Sequence, residues 1–297
     1  MSKSFDLTKW LSDSAEKVNQ ALDFYLPPEN QKPTTLHKAM RYSVFAGGKR
    51  VRPAVLLAAT EACEGDRESA LPLACAIECI HTYSLIHDDL PAMDNDDFRR
   101  GKLTSHKAFG EGIAILAGDG LLTEAFAIAS RWKATERYTH KEITAELAHH
   151  SGSLQMVGGQ AIDLESEGKA ISLEELKYIH ERKTSALLCL STRLGAMNAN
   201  ATPEQLEALT TFGYKVGLAF QIIDDILDVT QSSEKLGKTA GKDAEVQKAT
   251  YPALLGLEKS KTLASELTQD AFSILEIFGD KAAALRALAQ YLLKRDH

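Results

Sequence analysis

Apolar residues recur at intervals of three and four along almost the whole of this 297-residue chain. That spacing places them on one face of an α-helix, and no segment alternates apolar and polar residues for long enough to form a sheet. The segments that carry this pattern are rich in Ala, Leu, Glu, Lys and Ile and span residues 8–25, 35–46, 53–63, 71–89, 116–130, 138–164, 173–196, 203–229, 250–278 and 281–294. The sequence therefore predicts an all-α fold.

Helix-start signals agree with this pattern. Pro53 is expected at a first helical position, Ser172 and Glu175 are spaced as a capping box, and Thr202 precedes Pro203 at the start of another helix.

No linker rich in proline, glycine or serine divides the chain, so we expect a single domain over residues 1–297. Segments 71–89 and 213–228 are apolar around most of their circumference, which is typical of central helices in a large bundle. The polar stretch 230–248 is long for an irregular segment, and such stretches commonly form lids or binding loops.

Composition excludes some classes of function. The formal net charge of −7 argues against a nucleic-acid binder, which needs a basic surface. The four cysteines, at positions 63, 75, 79 and 189, do not have zinc-site spacing and are expected to be buried thiols. The first residues carry charges and no apolar stretch, and no run of 18 apolar residues occurs. We therefore expect a reduced, soluble, cytoplasmic protein without stable membrane association.

One aspartate motif lies in the helical segment 203–229. Asp224 and Asp228 are one turn apart, and Gln221 lies one turn before Asp224 and Asp225. These polar groups share one stripe, while isoleucines and a leucine fill positions that a solvated helix would make polar. A solvated acidic face remains the alternative, but stacked carboxylates beside an apolar surface favour a cation site.

A second motif comes earlier in the chain and is spaced differently. Asp94 follows Asp88 by six residues, which is about 240° around an ideal helix. Pro91 cannot complete helical hydrogen bonding, so we expect the chain to turn Asp94 back towards Asp88. His81 lies two turns before Asp88 on the same stripe and is either structural or part of the site. Carboxylate oxygens in such clusters suit Mg²⁺, which also binds phosphates.

Basic residues accompany these motifs. GGKRVRP at residues 47–53 is a glycine turn before a helix start, and Arg99-Arg100 follows the earlier aspartates. Lys183-Thr184 lies within a helix, and Lys238 lies in the polar stretch. A helix N-terminus and arginine side chains suit phosphate oxygens, although each of these cations alone could be a solvated surface charge.

These motifs together resemble the short-chain trans-prenyl diphosphate synthases, most closely those of the bacterial farnesyl diphosphate type. The resemblance covers nearly the whole chain and is carried by GGKRVRP (47–53), HTYSLIHDDLPAMDNDDFRRG (81–101), GGQAIDLE (158–165), HERKT (180–184), FQIIDDILD (220–228) and KATYPALLG (248–256). It implies one large helical bundle around a central cavity and a magnesium-dependent prenyltransferase of isoprenoid and lipid biosynthesis.

The resemblance also implies residue roles. Asp88, Asp94 and Asp224 would ligate two or three Mg²⁺ ions, with Mn²⁺ as a substitute, and Asp89, Asp225 and Asp228 would support that shell. The allylic diphosphate would contact Arg99, Lys183 and Lys238, and isopentenyl diphosphate would contact Lys49, Arg52, His81 and Arg100. Thr184 and Gln221 would stabilise the carbocation. Tyr83 and Ser84 would limit product length, with Tyr83 as the floor of a site that stops at farnesyl diphosphate.

Several alternatives stay open at this point. Geranyl or geranylgeranyl diphosphate could be the product, and Tyr83 could serve core packing only. A terpene cyclase, an HD-type phosphohydrolase suggested by His87-Asp88, and a non-catalytic subunit of the same fold are less consistent with two intact aspartate motifs and the basic turn. The resemblance further implies a homodimer.

Overall fold

The computed structural model describes residues 5–230 and 249–293. In chain order the α-helices are α1 (Leu7–Tyr25), α2 (Thr34–Val44), α3 (Val51–Ala62), α4 (Leu71–Asp88), α5 (Ser105–Phe109), α6 (Glu111–Ala129), α7 (His140–Ser151), α8 (Met156–Ser166), α9 (Leu173–His180), α10 (Ala186–Asn198), α11 (Pro203–Thr230), α12 (Tyr251–Leu255), α13 (Leu257–Ile274) and α14 (Ala283–Leu293). A π-helical turn, Glu181–Ser185, joins α9 to α10, and a 3₁₀ segment, Leu275–Ala282, joins α13 to α14.

The all-α prediction is confirmed. Within the described ranges, extended structure is limited to a hairpin of β1 (Phe98–Arg99) and β2 (Lys102–Leu103), in which Phe98 pairs with Leu103.

Helix starts follow the predicted signals with one exception. Ser172 and Glu175 form the expected capping box, and Thr202 exchanges hydrogen bonds with Gln205 before α11. Pro53, however, is the third residue of α3, which begins at Val51. A proline is tolerated there because first-turn N–H groups have no partner within the helix.

Two predicted long helices are interrupted. Segment 138–164 breaks between α7 and α8, and segment 250–278 breaks at Gly256, whose φ is 83°. Gly110 has a similar φ of 86° and separates α5 from α6. Glycine adopts this left-handed geometry readily, so it ends one helix and starts the next at a new angle.

The core consists of three apolar clusters. The first lies around α4 and α6, with side chains such as Ile77, Ile80 and Leu121 fully buried. The second joins α3, α10 and α11 to α14, and the third joins α9 and α11 to α12 and α13. Because α11 contributes to the second and third clusters and α4 is buried around most of its surface, both helices are central, as predicted.

One helix in the described part of the chain, α6, is long and apolar enough to cross a membrane by composition. It packs along α4, and Ala117, Leu121 and Ala125 are fully buried in the first cluster. Its apolar character is therefore accounted for by the core, on the side that faces α4.

All four cysteines are buried thiols without disulfides. Burial raises the pKa of Cys63 and of Cys189 to about 12, and it also raises the pKa of Cys75 and of Cys79. These thiols pack as small apolar groups, as predicted.

Candidate active site

The earlier aspartate motif lies at the C-terminal end of α4. The helix ends at Asp88, before Pro91, since a residue that precedes proline is disfavoured in the helical conformation. The chain then turns back, and the Asp94 N–H donates to the Asp88 carbonyl oxygen at 2.8 Å. Asn95 completes the turn with a left-handed φ of 49°. The backbone thus brings Asp94 back to Asp88, although the helix stops at that point rather than bending.

The Asp88 side chain is bound by a residue of α8. Gln160 Nε2 donates to Asp88 Oδ1 at 2.5 Å. Burial raises the pKa of the Asp88 carboxyl and the charge of Asp94 raises it further, whereas Lys183 and the Gln160 hydrogen bond oppose the rise. Keeping the Asp88 carboxylate ionised therefore costs free energy, and a nearby cation would reduce that cost.

Asp89 points to a different partner. Its side chain is buried, and Arg99 of β1 donates to both carboxylate oxygens at 2.6–2.9 Å. Burial raises the pKa of Asp89 despite this arginine. In this structure Asp89 fixes the guanidinium of Arg99, for which the resemblance implies contact with a substrate diphosphate.

The later aspartate motif lies on α11, and its side chains also have different surroundings. Asp225 is buried and accepts the Tyr251 N–H at 2.9 Å, so it holds the start of α12. Asp228 is buried as well. Asp224 and Gln221 line a cavity of about 180 Å³.

Lys183 and Thr184 lie on the π-helical turn. Lys183 Nζ donates to Asp163 Oδ2 of α8 at 2.7 Å. Burial lowers the pKa of Lys183, but the carboxylates of Asp163 and Asp88 outweigh burial and leave it raised. A Cβ on Gly159 would lie 2.4 Å from the Lys183 backbone nitrogen, so α8 packs directly against this turn.

The basic turn before α3 is fixed by a buried ion pair. Arg50 Nη1 lies 2.7 Å from Glu78 Oε1, and both side chains are almost fully buried. The Arg50 Nε also donates to Asn19, and Nη2 donates to the Val44 carbonyl oxygen. Every donor nitrogen of this guanidinium thus has a partner, which determines the path of the turn that carries Lys49 and Arg52.

Arg52 and His81 face each other in this region. Arg52 Nη1 lies 3.1 Å from His81 Nε2. Burial lowers the pKa of Arg52 to about 10, and burial together with Arg52 lowers the pKa of His81, which keeps the imidazole neutral. Arg100 donates to the Gly47 carbonyl oxygen, and Lys49 Nζ lies 5.1 Å from the centre of the Tyr291 ring.

Two cavities share Thr184 as a lining residue. The cationic cavity, about 670 Å³, is lined by Lys49, Arg52, His81, Arg100 and Phe220, among others. The acidic cavity, the space of about 180 Å³ described above, is lined by Asp163, Lys183, Gln221, Asp224 and Asp225, among others. Thr184 lines both.

The two residues expected to limit product length, Tyr83 and Ser84, lie about one turn before Asp88 in α4. Tyr83 is 5% exposed and its ring packs edge-on against the His87 ring, with centroids 5.8 Å apart. Ser84 is buried and donates to the His81 carbonyl oxygen at 2.9 Å. Lys238 lies outside the described residues.

Residues 33–287 match the polyprenyl synthetase family. The chain belongs to this family.

Relatives and solved structures agree with that membership. A chloroplastic geranylgeranyl pyrophosphate synthase of Capsicum annuum is 51% identical over 99% of this chain and 80% of its own length. A dimethylallyltranstransferase of Fischerella ambigua is 48% identical over 99% of this chain and 85% of its own length. Among solved structures, an FPP/GFPP synthase of Zymomonas mobilis is 39% identical with a TM-score of 0.86, covering 97% of this chain and 98% of its own. A geranyltransferase of Helicobacter pylori complexed with magnesium and isoprenyl diphosphate is 34% identical with a TM-score of 0.86, covering 99% of this chain and 100% of its own.

Membership in the polyprenyl synthetase family confirms a prenyltransferase of isoprenoid biosynthesis with the helical-bundle fold. The farnesyl-specific expectation is not confirmed, because most of the similar curated relatives are geranylgeranyl pyrophosphate synthases. Several of these relatives are named chloroplastic, so they do not support the cytoplasmic location, which stays a prediction.

The polyprenyl synthetase family uses Mg²⁺, and the aspartate motifs fit it in donor type. Asp88, Asp94 and Asp224 offer only oxygen ligands. A bound cation would offset the free-energy cost of burying the Asp88 charge. Within the described residues, no three His, Cys, Asp or Glu side chains form a ready-made metal site. This agrees with the way Mg²⁺ is usually bound, through one or two carboxylates, substrate phosphates and water.

Sequence reasoning missed three side chains that hold the polyprenyl synthetase site together. Gln160 binds Asp88, Asp163 binds Lys183 and Glu78 binds Arg50. The spacing of Gln160 and Asp163, three apart in the GGQAIDLE segment, places two polar groups on one face of a helix and was the available signal.

Proposed function

We propose that this prenyltransferase adds isopentenyl diphosphate to allylic diphosphates in the trans configuration, and that its principal product is geranylgeranyl diphosphate. The feature that carries the proposal is Thr184, which lines both the cationic and the acidic cavity. Ligands held in the two cavities would meet at this residue, as the coupling of two diphosphate esters requires.

Isopentenyl diphosphate would occupy the cationic cavity. Lys49, Arg52 and Arg100 supply positive charge there, and neutral His81 orients the Arg52 guanidinium. The Arg50–Glu78 pair fixes the turn on which Lys49 and Arg52 lie, so these cations are held in place before the substrate arrives.

The allylic diphosphate would bind at the acidic cavity. Asp88, Asp94 and Asp224 would hold Mg²⁺, which neutralises the charge of the leaving diphosphate when bound. Lys183, positioned by Asp163, would contact the same diphosphate, together with Arg99 and Lys238. The contacts of Asp89 with Arg99 and of Asp225 with Tyr251 favour positioning roles for these two aspartates. For Asp228 a supporting role at the metal shell stays a proposal.

Departure of the diphosphate leaves an allylic cation, which the oxygen dipoles of Thr184 and Gln221 would stabilise. The double bond of isopentenyl diphosphate attacks this cation, and the released diphosphate takes up the proton that is lost. No protein nucleophile is required. Leu188 and Phe220 line the cationic cavity beside Thr184 and would help to exclude water, which would otherwise quench the cation.

A second candidate product is farnesyl diphosphate. The similar curated relatives favour the twenty-carbon product. The buried Tyr83 ring, about one turn before Asp88 on α4, favours a shorter product if it blocks the growing chain. If Tyr83 is this floor, Tyr83→Ala is expected to shift products towards longer chains, and an unchanged product profile would contradict the assignment.

The test is a product assay with isopentenyl diphosphate and dimethylallyl, geranyl or farnesyl diphosphate, each with Mg²⁺ and with a chelator. Geranylgeranyl diphosphate as the main product, formed only with metal, is expected. A profile that stops at farnesyl diphosphate would favour the second candidate, and pyrophosphate release without chain elongation would contradict the proposed reaction.

Three further expectations stay proposals: a single domain over the whole chain, a homodimer, and the absence of stable membrane association. Light scattering of the purified protein tests the homodimer.

A further inference from the structure

One histidine on the wall of the acidic cavity has no hydrogen-bond partner among the residues that the structure describes. His180 is the last residue of α9 and lines this cavity together with Asp163, Lys183 and Asp224, among others. Its Nδ1 atom is enclosed by protein and has no partner, and Nε2, which is not enclosed in this way, has none either in the described ranges. Such a group is rare in native proteins and needs a specific reason.

The buried histidines of this protein do not share this feature. His37, His106 and His150 each have a hydrogen-bond partner at Nδ1. His180 differs from them because neither ring nitrogen is bonded within the described part of the chain, and because its ring lies on a cavity wall. A purely structural role therefore does not account for the His180 imidazole.

The His180 ring is neutral, and its hydrogen belongs on Nε2. Burial lowers the pKa of His180 to about 4, although the charge of Asp163 opposes this shift. A neutral imidazole carries one N–H, and at the enclosed Nδ1 that N–H would be left without an acceptor, which is unfavourable. The hydrogen is better placed on Nε2, where a ligand in the cavity can accept it.

Three side chains of one segment line the same cavity. Lys183 and Thr184 follow His180 by three and four positions, and all three line the acidic cavity. The Ser185 hydroxyl donates to the His180 carbonyl oxygen at 3.2 Å, and the Tyr251 ring lies against the imidazole with centroids 5.5 Å apart. The π-helical turn and α12 thus hold His180 in place on the cavity wall.

We propose that His180 is a substrate-binding residue that donates its Nε2–H to an oxygen of the allylic diphosphate. This inference rests on the proposed function, in which that diphosphate binds at the acidic cavity. Lys183 supplies a positive charge there, and His180 adds a directional donor without adding charge.

Three variants of the full-length protein separate the donor from the ring. His180→Phe keeps an aromatic ring against Tyr251 but has no N–H. His180→Gln places an amide N–H near the position of Nε2, whereas His180→Asn places one near the position of Nδ1. The dissociation constant of pyrophosphate in the presence of Mg²⁺ is measured by calorimetry, and the KM values of the allylic substrate and of isopentenyl diphosphate are measured in parallel.

The Phe and Asn variants should bind pyrophosphate with Mg²⁺ about 10- to 100-fold more weakly, the range that corresponds to one hydrogen bond to a charged group. The KM of the allylic substrate should rise in parallel, and the KM of isopentenyl diphosphate should change far less. The Gln variant should keep most of the wild-type affinity, because its amide N–H replaces the Nε2–H of His180.

His140→Phe is the matched control. His140 also contacts an aromatic neighbour, Trp132, with ring centroids 5.8 Å apart, and it does not line the cationic or the acidic cavity. The same histidine-to-phenylalanine change at this position should leave the pyrophosphate affinity and both KM values unchanged.

The other outcomes are also decisive. Wild-type affinity in the Phe and Asn variants overturns the inference, and so does equal weakening in all three variants, because ring packing would then explain the loss. If His180→Phe does not fold, the comparison of the Asn and Gln variants carries the test, and equal affinities in these two overturn the inference. A wild-type protein that forms no prenyl product contradicts the proposed function, whereas the pyrophosphate measurement needs no turnover and still decides whether His180 binds a diphosphate.

Discussion

At the scale of single residues, the site depends on contacts between side chains far apart in the chain. Gln160 and Asp88 are separated by 72 positions, yet their side chains are joined by a hydrogen bond. A group that orients a metal-binding carboxylate is typically worth about 10- to 100-fold in metal affinity or activity. We therefore expect Gln160→Ala to weaken the apparent affinity for Mg²⁺ by that factor, as measured from the Mg²⁺ dependence of product formation.

The matched control is Gln20→Ala, which removes an amide bonded to Glu16 on the exposed surface of α1. A Gln160→Ala enzyme with the Mg²⁺ dependence of the control would show that this hydrogen bond does not orient Asp88.

The raised pKa of Asp88 leads to a second residue-scale prediction, for the metal-free protein. Because burial raises the folded-state pKa, Asp88 favours folding below the ordinary aspartate pKa of about 4, and this contribution is lost as pH rises through the raised value. At neutral pH, Asp88→Asn should therefore raise the unfolding midpoint in chelator while abolishing Mg²⁺-dependent activity. The gain should shrink as the pH approaches about 4, which thermal unfolding over a pH series measures.

Asp13→Asn, on the exposed surface of α1, is the control for this change. An Asp88→Asn protein no more stable than wild type at neutral pH would contradict the prediction.

The charged members of the site could be proposed from sequence because they interrupt apolar helices at regular spacing. Their partners could not. Whether Asp89 faces a metal or Arg99, and whether Asp225 faces a metal or the Tyr251 backbone, depends on where β1 and α12 pack. Helical spacing alone does not contain that information.

At the scale of helices, α11 closely approaches the π-helical turn. This contact determines how Gln221 and Asp224 of α11 face Lys183 and Thr184 of the turn across the acidic cavity. A Cβ on Gly217 would lie 2.6 Å from the Ser185 Cα atom, so alanine there must displace α11 or the turn. Gln221 lies one helical turn beyond Gly217 and would move with the helix. Because a displacement of about 1 Å can cost about 100-fold in rate, we expect Gly217→Ala to lower kcat by that order.

Gly213→Ala is the comparison for this prediction. It introduces a similar clash, 2.7 Å from the Cys189 Cα atom, one turn farther from Gln221. The two variants should lose similar stability in chemical denaturation, with the larger fall in kcat for Gly217→Ala. Equal losses of kcat would indicate that general destabilisation is responsible.

The existence and type of most helices could be predicted, because three- and four-residue periodicity extends over long segments. Their interruptions were harder to locate. Gly110 and Gly256 end helices through left-handed backbone geometry, which the residue type permits but does not require. The π-helical turn at Glu181–Ser185 contains no glycine or proline that would mark it in the sequence, and packing against Gly159 accompanies it.

At the scale of the whole molecule, the acidic cavity lies between elements of different apolar clusters: α8 contributes Met156 to the first cluster, and α11 belongs to the second and third. A ligand that bridges these clusters should stabilise all of them together. Pyrophosphate with Mg²⁺, at 100 times its dissociation constant, should add about 2.7 kcal/mol to the free energy of unfolding. Thermal unfolding should show a midpoint increase of roughly 5 °C or more.

Pyrophosphate in chelator and Mg²⁺ with inorganic phosphate are the controls, and neither should match the combined effect. An increase with pyrophosphate alone would contradict a metal-bridged site.

Fold class and family could be predicted because the motifs extend from residue 47 to residue 256 in a fixed order. Product length could not be predicted, because helical spacing does not show what surrounds Tyr83; the His87 ring and the packing of α6 on α4 are features of the folded structure.

The four buried thiols make the native protein a natural subject for pulsed alkylation. A thiol that is both buried and hard to ionise reacts only after its surroundings open, so labelling reports local unfolding. Cys75 and Cys79 belong to the first apolar cluster and Cys63 to the second. The order in which mass spectrometry finds them modified would therefore show which half of the bundle opens first, without any engineered probe.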